Sequence, residues 1–288
     1  MKGLRISILV AFAVFVVICI LKAPTEGERT IRELQRRELL RMEGGELVKS
    51  SLEFLTKGSK FERHWRINDT PSKDCLNVYI LKSRLAGDAG LSPQIRKLLG
   101  NAGYLGTPNI IVIDPDFIRD FPQRFGLFAY ARSESTTNQI RAALLTWVLG
   151  HEIGHIICGH SPAHFATDRL ADESPTQSLR RTQELDADTT FAKVLESSPE
   201  QRLTVERLLL DLINFEIKSK LGIVPQGVMI LYDYKDKRVV HYKELGSHPE
   251  FILRGTRLLQ ITSKAQGSKA LAYEVTQFSK LLQPETQD

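Results

Sequence analysis

Two pairs of residues, each spaced by four, constrain this chain more than anything else in it: His151 with His155, and Glu184 with Asp188. Four residues is about one helical turn, so on an α-helix both members of a pair stand on one face. Both pairs fall in segments that read as helices. Residues 136–158 have helical patterning, with Thr136 or Thr137 as N-cap and Gly159 placed as the C-terminal stop. Residues 174–195 open on Ser174 and Pro175, a cap followed by proline in the first turn, and end before Pro199. If both pairs serve one purpose, the two helices must lie side by side with imidazoles facing carboxylates.

That purpose has a chemical reading. Two neutral imidazoles one turn apart can share a metal ion, and the run His151-Glu152-Ile153-Gly154-His155 also sets a carboxylate beside them. Zinc held by two histidines needs a third ligand and an open position, where it acidifies a water whose proton a nearby carboxylate takes. Glu184 can be the third ligand. Asp188 can accept a hydrogen bond from the distal nitrogen of a ligating histidine and so fix its tautomer. Asp186 lies about 200° around that helix from Glu184, outside the ligand group. The competing readings are two incidental histidines in a buried helix, and a solvated acidic face opposite Arg180 and Arg181. His160 follows His155 by five residues, where a three-histidine metzincin pattern needs six, so His160 and His164 read as ordinary histidines after the helix. Cys158 reads as a small buried hydrophobe.

Composition narrows the setting. With 42% hydrophobic and 25% charged residues over 288 positions, the chain is neither disordered nor multi-span. A net charge of +5, scattered along the sequence, makes no nucleic-acid footprint. Cys19, Cys75 and Cys158 form no CxxC or thiolate-ligand pattern. Residues 4–21 are apolar apart from Arg5 and Ser7, which is the length of one membrane-crossing helix. The small-x-small cleavage signal is missing, so an uncleaved anchor is expected over a removed signal peptide. Its orientation stays open, because Lys2 and Arg5 favour a cytoplasmic N-terminus while Lys22, Arg29, Arg32, Arg36, Arg37 and Arg41 favour the reverse.

The expected organisation is an anchor over residues 1–25, a charged helical stalk over 26–60 and a catalytic domain over 61–288, with site helices near 137–158 and 175–195. Residues 77–81 and 109–113 are short β-branched runs that read as strands, and Asp114-Pro115-Asp116 after the second signals a helix start. Residues 203–221 read as a further helix, and 228–242 as a hairpin around the polar tip Lys235-Asp236-Lys237. Residues 249–261 and 269–282 complete a mainly helical C-terminal half.

These pieces resemble the gluzincin zinc metallopeptidases of the HtpX and CAAX prenyl protease family, a likeness spanning roughly residues 109–261. The matching motifs are His151-Glu152-Ile153-Gly154-His155, Glu184 with Asp188, and Ser247-His248-Pro249 followed by Arg254. The resemblance implies an α+β, mainly helical, zincin-like domain with a small sheet. It implies one zinc per chain on His151, His155 and Glu184, with Glu152 as general base and Asp188 behind the ligands. It further implies that His248 stabilises the oxyanion and Arg254 supports the carboxylate side. The expected partners are a peptide or protein substrate and, through the N-terminal helix, a membrane, that of a single-pass protein of the bacterial inner membrane. The chain departs from the integral members of the family in having one hydrophobic segment, which leaves no helical chamber for a prenylated peptide. The short interval from His155 to Glu184 favours a compact catalytic domain.

On this reading the chain is a membrane-anchored endopeptidase, with His248 or one of the hairpin tyrosines Tyr232, Tyr234 and Tyr242 donating to the oxyanion. Substrate is expected to lie extended along an edge strand near residues 110–113. Two alternatives stand beside it. One is a phage-exclusion-type or repressor-cleaving metallopeptidase with a similar two-helix site. The other is a non-catalytic, anchored chaperone or adaptor whose zinc is structural, in which His160 or Cys158 would close the fourth position.

Overall fold

The computed structural model describes residues 24–41, 45–82, 91–124, 134–160, 175–206, 208–209, 228–233, 238–244, 258 and 261–262. The expected anchor, His248, Arg254, Tyr234 and the expected helix over 269–282 lie outside the described residues. Among the described residues no helix is long and apolar enough to cross a membrane.

The chain is α+β and mostly helical, with a small mixed sheet. In chain order the elements are α1 (Glu26–Arg36), α2 (Glu46–Leu55), β1 (Trp65–Ile67), β2 (Leu76–Ile80), α3 (Pro93–Leu98), β3 (Ala102–Tyr104), β4 (Ile110–Ile113), α4 (Pro115–Arg124), α5 (Glu134–Ile157), α6 (Pro175–Glu196), β5 (Val228–Asp233) and β6 (Arg238–Glu244). Residues 199–206 and 208–209 are also helical, so that helix starts four residues before the expected position 203. The hairpin forms as β5 and β6, an antiparallel pair separate from the main sheet.

The main sheet runs β1-β2-β4-β3, with β1, β2 and β4 parallel and β3 antiparallel to β4. Strand β2 is buried along its whole length, as is β4. The sheet is covered on both faces, which accounts for the unbroken apolar run of β4; in β2 the one polar residue, buried Asn77, spends its side-chain amide on the Ser72 and Cys75 carbonyls. Leu76, Val78, Ile80, Ile111 and Ile113 pack against side chains from α2, α5 and α6. Tyr79, Leu81, Ile110 and Val112 face the other way, against α1 and α3.

This second layer replaces the expected stalk. Residues 26–55 form two helices, not one exposed rod, and Ile31, Leu34, Leu39 and Leu40 are buried under the sheet. The many charges on α1 lie around a narrow apolar stripe, and that stripe suffices to dock it. A capping box starts the helix: the Thr25 hydroxyl accepts from the Glu28 amide while the Glu28 carboxylate accepts from the Thr25 amide at 2.8 Å.

The substrate strand expected at residues 110–113 is also corrected. Strand β4 lies between β2 and β3 with both edges paired, so among the described residues the edge strands are β1 and β3, and β3 is the one that meets Glu152. The position of β3 is set by Asp114, at the end of β4. One Asp114 oxygen caps α4 by accepting from the Asp116 amide at 2.9 Å, and the other accepts from the Gly100 amide at 2.7 Å, in the turn that leads into β3. Burial pushes this carboxyl above its ordinary range against the pull of those two amides.

Candidate metal centre

Helices α5 and α6 pack antiparallel, and two glycines decide how closely. A Cβ on Gly154 would sit 2.4 Å from the Ala187 carbonyl oxygen, and one on Gly150 would sit 2.1 Å from the Phe191 ring. Glycine inside a helix costs about 1 kcal/mol relative to alanine, so two of them one turn apart mark a face where another element lies against bare backbone. The neighbouring row of the same seam carries His151 and His155 on one side and Glu184 and Asp188 on the other.

The close approach brings the ligand atoms together. His151 Nε2 lies 3.0 Å from Glu184 Oε2, His155 Nε2 lies 3.4 Å from Glu184 Oε1, and the two Nε2 atoms are 3.1 Å apart. Tetrahedral zinc with bonds near 2.0–2.1 Å separates its ligand atoms by about 3.3 Å; here each histidine meets a different Glu184 oxygen near that separation, and one ligand atom from each residue lies within 4.8 Å of the others. His151, His155 and Glu184 are the one group of this kind among the described residues. At 6% and 1% exposure, Glu184 and Asp188 are buried, which excludes a solvated acidic face. Asp186 is exposed.

Charge makes the same case. Asp188 Oδ1 lies 2.9 Å from His151 Nδ1 and takes its proton as acceptor, leaving a lone pair on His151 Nε2. That lone pair faces a buried carboxylate, an arrangement of acceptors that a cation stabilises. Replacing Asp188 with alanine is expected to lower zinc affinity by about 10–100-fold, measured by competition against a chromophoric chelator. An unchanged affinity would remove Asp188 from the centre.

Glu152 follows His151 directly in α5. Its Oε2 accepts from the Tyr104 amide at 2.8 Å, which ties the carboxylate to the edge strand β3. The amide is available because Leu105, not Tyr104, donates to β4, through the Ile110 carbonyl. Sequence reasoning placed nothing at residues 102–104; the one signal was the pairing of Gly103 with aromatic Tyr104 ahead of a clear strand.

Two residues expected to be bystanders behave otherwise. Gly159, at φ +68°, ends α5 in a left-handed turn, and the His160 amide returns to the His155 carbonyl at 3.0 Å. The turn folds the His160 ring back, with its Nδ1 2.9 Å from His155 Nδ1. Burial, with neighbouring His155 adding to it, holds the His160 imidazole below its ordinary range. Cys158 is exposed where a buried position was expected, and its Sγ lies 3.2 Å from Thr190 Oγ1. His160 meets the outer nitrogen of His155, and Cys158 faces α6, so neither joins the ligand triangle.

The seam itself is testable. Gly154→Ala gains about 1 kcal/mol of helix propensity and loses about 1–3 kcal/mol to overpacking against Ala187. Because the atoms met are all Ala187 backbone, which cannot swing aside, the loss outweighs the gain: the melting temperature is expected to fall, and zinc affinity to fall roughly tenfold or more as the two ligand rows separate. Native affinity in this variant would show that the helices do not need their close contact.

No protein-family model matches the chain, and neither a curated protein nor a solved structure matches it.

Proposed function

We propose that this chain is a zinc-dependent endopeptidase of the gluzincin type, held at a membrane by residues 4–21. The observation that carries the reading is the cluster of His151, His155 and Glu184, with Glu152 next to His151 in the chain and held by the Tyr104 amide of β3. Three protein ligands leave a coordination position open, the mark of catalytic zinc sites as against structural ones. A zinc ion bound there supplies a Lewis acid and lowers the pKa of water in its open position.

The chain's own residues do the rest. Asp188 holds the His151 ring so that Nε2 faces the centre. An extended peptide would lie along β3, where the Tyr104 and Ala102 amides are taken by Glu152 and Asn101, so its backbone would donate to the strand's carbonyls. Glu152 takes the proton of the attacking water and delivers it to the departing amine, as one carboxylate acting first as base and then as acid. Its hydrogen bond to the Tyr104 amide places that proton transfer at the strand edge where the scissile bond would lie. His248 at the oxyanion and Arg254 on the carboxylate side, both outside the described residues, are proposed from the resemblance alone. The adaptor reading asked for a fourth ligand from His160 or Cys158, and both stand elsewhere.

The test is zinc content and hydrolysis of an unstructured protein such as casein by the full-length chain, before and after chelation. One zinc per chain, with cleavage lost on chelation and restored by added zinc, is the expected result. A chain that takes up no zinc after reconstitution overturns the proposal.

A further inference from the structure

His155 differs from His151 in what holds its outer nitrogen. His151 Nδ1 meets a buried carboxylate, the usual kind of partner for a ligating imidazole, whereas His155 Nδ1 meets another imidazole at 2.9 Å. A neutral imidazole has one proton and one lone pair, so two facing nitrogens at this distance share a single proton. If His155 Nδ1 carries it, His155 Nε2 presents its lone pair to the metal triangle. If His160 Nδ1 carries it, His155 Nε2 is protonated and blocked. Only the first arrangement is compatible with a ligand role for His155.

We infer that His160 is a positioning residue for the metal centre: its Nδ1 accepts the His155 Nδ1 proton and thereby commits His155 Nε2 to the metal. The inference rests on the zinc reading above and adds a residue that reading does not need. The local structure is built for it. Gly159 adopts φ +68° with open space where a Cβ would be, so conformation, not crowding, explains the glycine. The resulting turn pairs the His160 amide with the His155 carbonyl at 3.0 Å and the Gly159 amide with the Ile156 carbonyl at 3.2 Å. Those two bonds cap α5 and, in the same stroke, set the His160 ring against His155 with centroids 5.1 Å apart. The helix cap thus delivers the hydrogen-bond acceptor.

Two substitutions separate this role from packing. His160→Leu keeps the bulk and removes the acceptor; His160→Asn keeps an acceptor, since Oδ1 stands close to where Nδ1 was. In full-length chains titrated with Zn2+ against a chromophoric chelator, His160→Leu is expected to bind about 10–100-fold more weakly than the native chain, and His160→Asn close to the native value. Native affinity in His160→Leu, or equal weakening in both variants, overturns the inference. A second measurement does not depend on either variant folding. In the zinc-loaded native chain, with His155 assigned by its loss in His155→Gln, NMR is expected to show a proton on His155 Nδ1 and a scalar coupling across the hydrogen bond to His160 Nδ1. No coupling between those two nitrogens overturns it. A native chain that binds no zinc sinks the proposed function itself, whereas native affinity in His160→Leu sinks this inference alone.

Discussion

Exchanging Glu152 for glutamine is expected to lower peptide hydrolysis by about 10²–10⁴-fold while one zinc per chain remains bound. Glutamine is nearly the same size, and its side-chain carbonyl can still accept the Tyr104 amide that the carboxylate accepts at 2.8 Å. What it cannot do is take a proton. The variant therefore removes one capacity and leaves the ligand triangle, the strand edge and their link in place. The measurement is turnover of a peptide substrate together with metal content on the same sample. Turnover within a few-fold of native, or loss of zinc, would take the general-base role from Glu152.

The second large effect is on the metal. Glu184→Ala leaves two imidazole nitrogens 3.1 Å apart with no third ligand, and zinc content is expected to fall from one per chain to none. Because a metal that binds only the folded chain stabilises it by mass action, zinc at about 1,000 times its dissociation constant contributes about 4 kcal/mol. For a protein of this size that is on the order of 10 °C in melting temperature. The native chain should show that upward shift on zinc addition, and Glu184→Ala should not. A variant that still holds one zinc, or melts higher with zinc as the native chain does, would show that Glu184 is not a ligand.

What the sequence made readable, and what it hid, follow from the physics of each element. The ligand pairs were legible because a spacing of four means one face on any helix, and because Gly159 and Pro175 punctuate α5 and α6 at positions the structure keeps. Helix α5 begins at Glu134, two residues before the expected cap. The contact between α5 and α6 depended on Gly150 and Gly154, whose meaning is visible only once Ala187 and Phe191 lie against them. Strands β1 and β3 are three residues each, too short to show an alternation, and β3 contains a glycine. The run at residues 110–113 drew attention as a strand, but four buried apolar residues in succession belong to a strand flanked on both sides, not to an edge. Residues 26–49 read as a stalk because their charges outnumber the apolar residues that matter. Ile31 and Leu34, three positions apart, are both nearly inaccessible and bind α1 to the sheet. His160 was weighed only as a ligand, and a residue that acts on the outer nitrogen of a ligand leaves no spacing rule to find it by.

The docking of α1 bears on where a substrate could come from. The Thr25 hydroxyl donates to the Thr107 carbonyl at 2.6 Å, and a Cβ on Gly27 would lie only 3.0 Å from the Leu105 carbonyl oxygen. The start of α1 is thereby fastened to the turn just past Tyr104, the residue whose amide holds Glu152. With residues 4–21 embedded in a bilayer, as proposed, only residues 22–24 would separate the lipid from this fastening, roughly 10 Å of extended chain. A leash that short gives the enzyme almost no radius of action. It would cut chains threaded or unfolded close to the membrane surface and leave those in the surrounding fluid alone, so proximity to lipid would act as a selectivity filter alongside the sequence-indifferent strand edge.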